Sequence, residues 1–413
     1  MKRYDDAGWL GFLPDTWSII ELGQVFEERN VKVKEEGLMP LSVTMNGIVP
    51  QLSSAVKAAE DSDRKLVVMG DYVINSRSDR KGACGVAPSD GTCSVINIVI
   101  TPKKPELAKF YNYALLSNMF PEEFYRWGHG IASDLWTTRW QEMRKIILPN
   151  PPDSVKTKIV QKLNQICNGI EQLEKEIGGQ IARYKVLKNT VIESYLTGGL
   201  TPSVNMKPSG ERAFPFIPEH WDMLKIKRIF DIRKDIAGRE DLQLLSITQR
   251  GIVPKDISRN EGQTAADYTH YQIIHVNDFA MNHMDLRTGW VDLSQYEGII
   301  SPDYRVFFVK DETMFCKEFY KYVMQLCYIK EVFYSAAQGI NENGRYRLKT
   351  EVFLHFEVMV PPYEEQCRIA KALDEEVSAI DTLIAEQEKM RERLKKLRKQ
   401  TIYDYVTGKK EVS

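Results

Sequence analysis

The 413-residue chain is poor in cysteine and histidine, with six of each, and has almost no charge imbalance. The cysteines (Cys84, Cys93, Cys167, Cys316, Cys327, Cys367) form no Cys-x-x-Cys pair, so they read as reduced cytosolic thiols and not as a disulfide frame or zinc site. The histidines (His129, His220, His270, His275, His283, His355) do not fall at helical metal-ligand spacing, and no bound metal is expected. No apolar run reaches membrane-spanning length, and the opening Met1-Lys2-Arg3-Tyr4-Asp5-Asp6 lacks a signal-peptide core, which implies a cytoplasmic protein without a membrane partner. The net charge of −1 divides into +1 through Met206 and −2 beyond it, so neither half has the basic excess common in nucleic-acid domains. Any affinity for DNA must come from local clusters or be shared with a partner. There is no Gly-x-x-x-x-Gly-Lys-Ser/Thr phosphate loop, no Glu-x-Lys nuclease triplet, and no set of nucleophile, base and orienting group. A chain lacking all of these is expected to catalyse nothing itself.

Most prominent among what is present is a second copy. Leu13-Pro14-Asp15-Thr16-Trp17 returns as Ile217-Pro218-Glu219-His220-Trp221, 204 positions later. Leu41-Ser42-Val43-Thr44 and Gly47-Ile48-Val49-Pro50 return at the same offset as Leu245-Ser246-Ile247-Thr248 and Gly251-Ile252-Val253-Pro254. The offset drifts to 207 at Asp71/Asp278 and Asn75/Asn282 and to 209 at Gly130-Ile131/Gly339-Ile340. It reaches 210 at Pro151-Pro152/Pro361-Pro362 and holds to Tyr195/Tyr405. A tandem unit of that length is a duplicated domain, too long for a solenoid repeat. Approximate internal two-fold symmetry suits a target with two halves, of which duplex DNA is the commonest.

Each copy opens on its Pro-Trp segment, with Trp17 and Trp221 expected as core anchors. β-branched and aromatic runs at 65–69, 95–100 and 304–309 predict strands. Amphipathic helices are expected near 107–118 and 318–328, then last strands at 144–148 and 355–360 and the proline pairs. Beyond the prolines, apolar residues step by three and four from Val155 through Leu173 to Tyr195, and again from Ile369 through Ile384 to Tyr405. That spacing predicts one apolar stripe on each of two long helices, about 65 Å each at 1.5 Å per residue. Two such stripes are expected to pack antiparallel with the globular units at opposite ends, burying Leu173 and Leu383. Gly178-Gly179 predicts a bend or close helix crossing.

Asn150-Pro151-Pro152-Asp153 resembles the Asn-Pro-Pro-aromatic signature of N6-adenine methyltransferases. The fourth residue is Asp, the second copy reads Val360-Pro361-Pro362-Tyr363 without the Asn, and no Gly-rich cofactor turn precedes either. A proline pair that ends a strand and starts a helix explains it better. The polar loops offer more. Asn75, Arg77, Arg80 and Lys81 follow a strand, and the matching stretch holds Asn282, His283 and Arg287, with only Asn and a closing Gly in common. Arg bonds guanine bidentately and Asn bonds adenine, so a shared frame with different contents suits two readouts; a solvated turn is the competing reading. Ser133 and Arg139 are set against Asn341, Asn343, Arg345 and Arg347 as a second pair of loops for phosphates or bases. The basic stretch 389–399 keeps its leucines on the stripe and reads mainly as a solvated helix face.

Two variable globular units, each followed by a proline pair and a similar helix, with Met206-Lys207-Pro208-Ser209-Gly210 ahead of Ile217–Trp221, resemble the specificity subunit of type I restriction-modification systems. The helix entry Glu364-Glu365-Gln366 resembles that family too, whereas Asp153-Ser154-Val155 departs from it. The resemblance implies an α+β chain of two tandem α/β target-recognition domains with pseudo-two-fold symmetry, separated by two long antiparallel coiled-coil helices. The domains would be 1–150 and 213–362, the helical spacers 151–198 and 363–408, and the linker 199–212. It implies a non-catalytic partner of double-stranded DNA, of two modification (methyltransferase) subunits and of two restriction (ATP-dependent translocase and nuclease) subunits. S-adenosylmethionine, ATP and Mg2+ would sit on those partners and none on this chain. A degenerate stand-alone adenine methyltransferase and a coiled-coil scaffold without DNA remain as alternatives.

Overall fold

The computed structural model describes residues 2–3, 5–34, 37–51, 63–130, 136–200, 204–239, 241–249, 251–255, 267–286, 289–335 and 347–412. The chain forms two compact units, Met1–Gly178 with Glu388–Ser413, and Gly179–Gln387. The same architecture is built in each. Unit 1 has a four-stranded antiparallel sheet in the order Cys84–Val86, Tyr72–Asn75, Asn97–Pro102, Phe26–Glu28. Unit 2 has Val291–Leu293, Phe279–Met281, Arg305–Val309 and Phe230–Ile232 in the same order. Hairpins Leu41–Thr44/Gly47–Pro50 and Leu245–Thr248/Gly251–Pro254 correspond. So do the two-stranded pairings of Ser18–Glu21 with Ile147–Asn150 and of Asp222–Lys225 with Glu357–Val360. Partly buried ion pairs repeat as well: Arg29 Nε donates to Asp71 at 2.7 Å, and Arg233 Nε to Asp278 at 2.6 Å. The expected strands and helices fall within two or three residues of Arg64–Val67, Asn97–Pro102, Arg305–Val309, Pro105–Leu115, Lys317–Ile329, Ile147–Asn150 and Glu357–Val360.

The long helices run Asp153–Gly198 and Tyr363–Val406. Neither proline of the pairs 151–152 and 361–362 can donate a ladder bond, so the strand ends there and the helix begins. Each unit's core is built from one sheet plus parts of both helices. In unit 1, Phe26, Tyr72, Phe120 and Phe124 pack with Ile159 and Leu163 of the first helix and Ile402 and Val406 of the second. In unit 2, Trp221, Phe230, Phe279 and Phe307 pack with Ile192 and Leu196 of the first and Ile369 and Leu373 of the second. A tyrosine hydroxyl ties each sheet-side helix to its long helix: Tyr113 to Asn164 at 2.7 Å, and Tyr322 to Asp374 at 2.6 Å. Within unit 2 the long helices run antiparallel. Lys188 meets Asp381 while Tyr195, further along one helix, meets Glu376, further back on the other.

Trp17 and Trp221 are buried as expected, and both pack beside a helix-terminating glycine. A Cβ on Gly408 would lie 3.2 Å from the Trp17 ring, and one on Gly199 3.3 Å from the Trp221 ring. Both glycines hold a left-handed φ, +69° and +72°, which a side chain would strain. The Pro-Trp segment of each copy thus seats on the end of a long helix.

Four expectations are corrected. The linker 199–212 contains a strand, Met206–Pro208, paired with Phe216–Pro218. The compact units do not follow the contiguous scheme, because each long helix is divided between them. The helix runs unbroken through Gly178-Gly179, and a Cβ on Gly178 would meet open space, so these glycines serve no close packing. Leu173 and Leu383 are 48% and 40% exposed. The three-four spacing marks a stripe wider than the surface the helices bury. Asp at Leu173 is therefore expected to cost less than about 1 kcal/mol, whereas Asp at the buried Leu163 strands a charge in the core and costs several kcal/mol. Urea unfolding midpoints of the two variants check this.

Candidate nucleic-acid interface

In unit 1 the two polar loops come together. Thr138 N donates to the carbonyl of Ser76 at 3.0 Å and Ser78 N to that of Trp136 at 3.0 Å. Arg77 and Thr137 form an antiparallel bridge. The loop after Tyr72–Asn75 is thereby laced to the segment ahead of the short helix Trp140–Met143. Unit 2 uses the same stitch, since Leu348 N donates to the carbonyl of His283 at 3.0 Å. In unit 1 two loops distant in sequence thus make one surface, and in unit 2 the matching bond joins the segments that flank the corresponding loops.

The asparagines that looked like adenine readers hold this frame instead. Asn75 is buried; its Oδ1 accepts from Arg77 N at 2.8 Å and its carbonyl accepts the Tyr125 hydroxyl at 2.8 Å. Asn282 Oδ1 accepts from Met284 N and Asp285 N at 3.1 and 3.0 Å, and its carbonyl accepts the Tyr328 hydroxyl at 2.6 Å. Short polar side chains that bond the backbone two or three residues on make turns. The closing glycines are needed for different reasons. Gly82 has φ +83°, and a Cβ on Gly289 would lie 2.0 Å from the Asp285 carbonyl.

What the frame presents differs between units. In unit 1, Arg77, Arg80, Lys81 and Arg139 are exposed. Lys81 pairs with exposed Glu122, an ion pair worth little in water, so the ammonium remains available. Arg139 offers its backbone N–H to Glu142 at 3.0 Å and leaves its side chain outside. In unit 2, Arg347 is exposed next to Leu348. Ser133, Arg287, Asn341, Asn343 and Arg345 lie outside the described residues.

His283 is corrected from a DNA contact to a buried group, 5% exposed. Burial first, then the nearby Arg305 and Arg347 guanidiniums, lower its pKa to about 4. Arg305, itself buried, is drawn down to about 10 chiefly by burial and still carries its charge at neutral pH. Its Nη2 donates to the Leu348 carbonyl at 2.7 Å, and its guanidinium lies 4.8 Å from the Phe353 ring. Arg305 positions the segment that carries Arg347. Sequence offered no sign of this, because a strand arginine reads as solvent-facing. The depressed His283 pKa gives unit 2 a definite acid sensitivity. Between pH 6.5, the ordinary value, and about 4, the unfolded chain binds a proton that the folded one refuses. Stability present above pH 6.5 is therefore lost through that window, by up to about 3 kcal/mol. Thermal unfolding of His283→Gln at pH 7.5 and 4.5 should show a smaller drop than the parent chain.

The Asn150-Pro151-Pro152-Asp153 stretch borders a cavity of about 350 Å³ with Thr16, Ser18 and Lys156. Asn150 is already committed there. Its Oδ1 accepts the Tyr111 hydroxyl at 2.8 Å, and its Nδ2 donates to Ser18 Oγ at 2.9 Å. The asparagine holds the last strand against the first, which is the structural role, and its amide is not presented to a base. A larger cavity, about 640 Å³, lies between Cys316, Glu318, Cys367 and Lys371 and contains none of the loop residues.

No family model matches the sequence. Solved structures do align over nearly all of its length. A chain from a structure on complex assembly and conformational transition of the type I R-M system superposes with a TM-score of 0.59 at 13% identity, covering 96% of this chain and 98% of that one. This chain shares the fold of that chain. The HsdS subunit from Thermoanaerobacter tengcongensis aligns at 15% identity and TM-score 0.40, over 96% of this chain and 98% of that one. The S subunit from M. genitalium aligns at 12% and 0.36, over 94% and 97%. Among the described residues, no helix is long and apolar enough to cross a membrane.

Proposed function

We propose that this chain is the DNA-reading specificity subunit of a type I restriction-modification complex and performs no catalysis itself. One observation carries the reading: the segments that bear the two loops are joined in each unit by matching backbone bonds, Thr138–Ser76 and Leu348–His283, yet the loop sequences differ. A conserved stitch under divergent contents is what two readers of two different half-sequences need. Exposed arginines supply bidentate donors for guanine edges or phosphates. The long helices set the gap between the half-sequences and dock two modification subunits, which bring S-adenosylmethionine. Two restriction subunits with ATP and Mg2+ complete the assembly. A near-neutral chain fits this division of labour, because the modification subunits share the phosphate contacts that dominate affinity. The test is to map methylated adenines in the source genome with and without the gene. One asymmetric two-part motif should vanish with the gene. Unchanged methylation would refute the reading.

A further inference from the structure

The seam between the two loops of unit 1 carries an aromatic side chain that the reading above does not use. Trp136 is 37% exposed. Trp9, Trp17 and Trp221 are buried, and Trp127, Trp140 and Trp290 are partly buried. Indole left in water forfeits one of the largest apolar burials available to a side chain, so its place at a polar surface calls for a ligand with a flat face. Its backbone is fixed: the Trp136 carbonyl accepts Ser78 N, Thr137 bridges both Arg77 and His129, and the Trp136 Cβ lies 3.3 Å from where a Cβ on Gly128 would sit. Trp136 therefore lies on the seam, on the segment that also bears Arg139 and stitched to the one that bears Arg77 and Arg80. The position recurs in the second copy. Thr138 and Leu348 make the same stitch 210 residues apart, and at that offset the sequence places Tyr346, outside the described residues, opposite Trp136. An aromatic kept at a matching place in loops that otherwise share little is a function held in common.

We propose that Trp136 is a nucleobase-stacking residue: its indole stacks on a base at a step opened within the half-site read by unit 1, while the neighbouring arginines hold edges and phosphates. The proposal rests on the chain being a DNA reader. Stacking itself is indifferent to base identity, so its gain of about 1–3 kcal/mol per base, or roughly 5- to 150-fold, becomes specific only because a step is opened where unit 1 has seated its own half-site. The seam selects for such a step when the exposed arginines of its two segments hold the backbone in place while the ring enters.

The test uses the chain assembled with its modification subunits and two duplexes, one carrying the genomic methylation motif and one with that motif scrambled. Trp136→Ala should lower affinity for the motif duplex by about 10-fold or more and leave the scrambled duplex unaffected, and Trp136→Phe should recover most of the loss. The slope of log affinity against log salt should stay that of the parent complex, since no phosphate contact is removed. Discrimination in the half-site read by unit 2 should also persist, which separates lost stacking from misfolding. Parent-like motif binding by Trp136→Ala, or equal losses on both duplexes, overturns the stacking role. If the parent complex itself cannot separate the two duplexes, the reading of the chain as a DNA reader fails, and this inference falls with it.

Discussion

Alanine at Arg77 or Arg80 is expected to weaken binding of the assembled complex to its motif by about 1–3 kcal/mol, roughly 5- to 150-fold, if the guanidinium reads a base edge. Such a loss should come with relaxed preference at a single base position in one half of the motif. Lys81 is expected to behave differently. Its ammonium is a point charge already shared with Glu122, so its removal should weaken all sequences alike and lower the salt slope by about one. Arg347 is the corresponding candidate in unit 2, and its loss should touch the other half-sequence. Asn75→Ala offers the contrast: it frees Arg77 N and loosens the loop, so it should diminish affinity without redefining any base. The readout is affinity against a panel of duplexes with one base pair altered at a time, at two salt concentrations. Unimpaired specific binding with alanine at Arg77, Arg80, Lys81, Arg139 and Arg347 together would remove the loops from the interface.

The repeat, the proline-helix junctions and the tryptophan anchors were legible because each depends on residue type at fixed spacing. Proline cannot continue a ladder, and a three-four apolar spacing has no stable alternative to helix. The loops were located for the same reason, since Asn75 with Gly82 and Asn282 with Gly289 frame a turn in both copies. Their inner chemistry was not legible. Whether Asn75 faces solvent or accepts from Arg77 N depends on tertiary packing, in which Tyr125, fifty residues on, donates its hydroxyl to the Asn75 carbonyl. His283 is kept neutral first by its burial and then by the Arg305 and Arg347 guanidiniums, a tertiary fact without a sequence period. The stripe on the long helices misled in the opposite sense. Leu173 and Leu383 keep the apolar spacing while remaining about half exposed, because periodicity reports which side a residue faces and not how much of that side is covered.

Exchanging residues 1–150 for the matching unit of a relative should replace one half of the DNA motif and leave the other half and the gap unchanged. The cut after Asn150 is favourable because it keeps Ser18–Glu21 paired with Ile147–Asn150 and falls between the strand and the proline pair. The exchanged piece must still complete unit 1, whose core includes Ile159 and Leu163 of the first long helix and Ile402, Tyr405 and Val406 of the second. It must also supply the Tyr113 hydroxyl for Asn164 and the Trp9 carbonyl for Tyr403. A donor without those two contacts should fold less stably while conferring the same new half-sequence, so expression and specificity will separate across a set of donors. Unit 2 supplies the internal control. Its core draws on Ile192, Leu196, Ile369 and Leu373, none of which the exchange replaces. Removing about one heptad from each long helix, roughly 10 Å, is the complementary manipulation: the gap should change while both half-sequences persist. Motif mapping of methylated adenines reads all of these variants in one assay. An exchange that altered both halves, or a helix deletion that rewrote base preference, would mean that reading and spacing are not carried by separate parts of the chain.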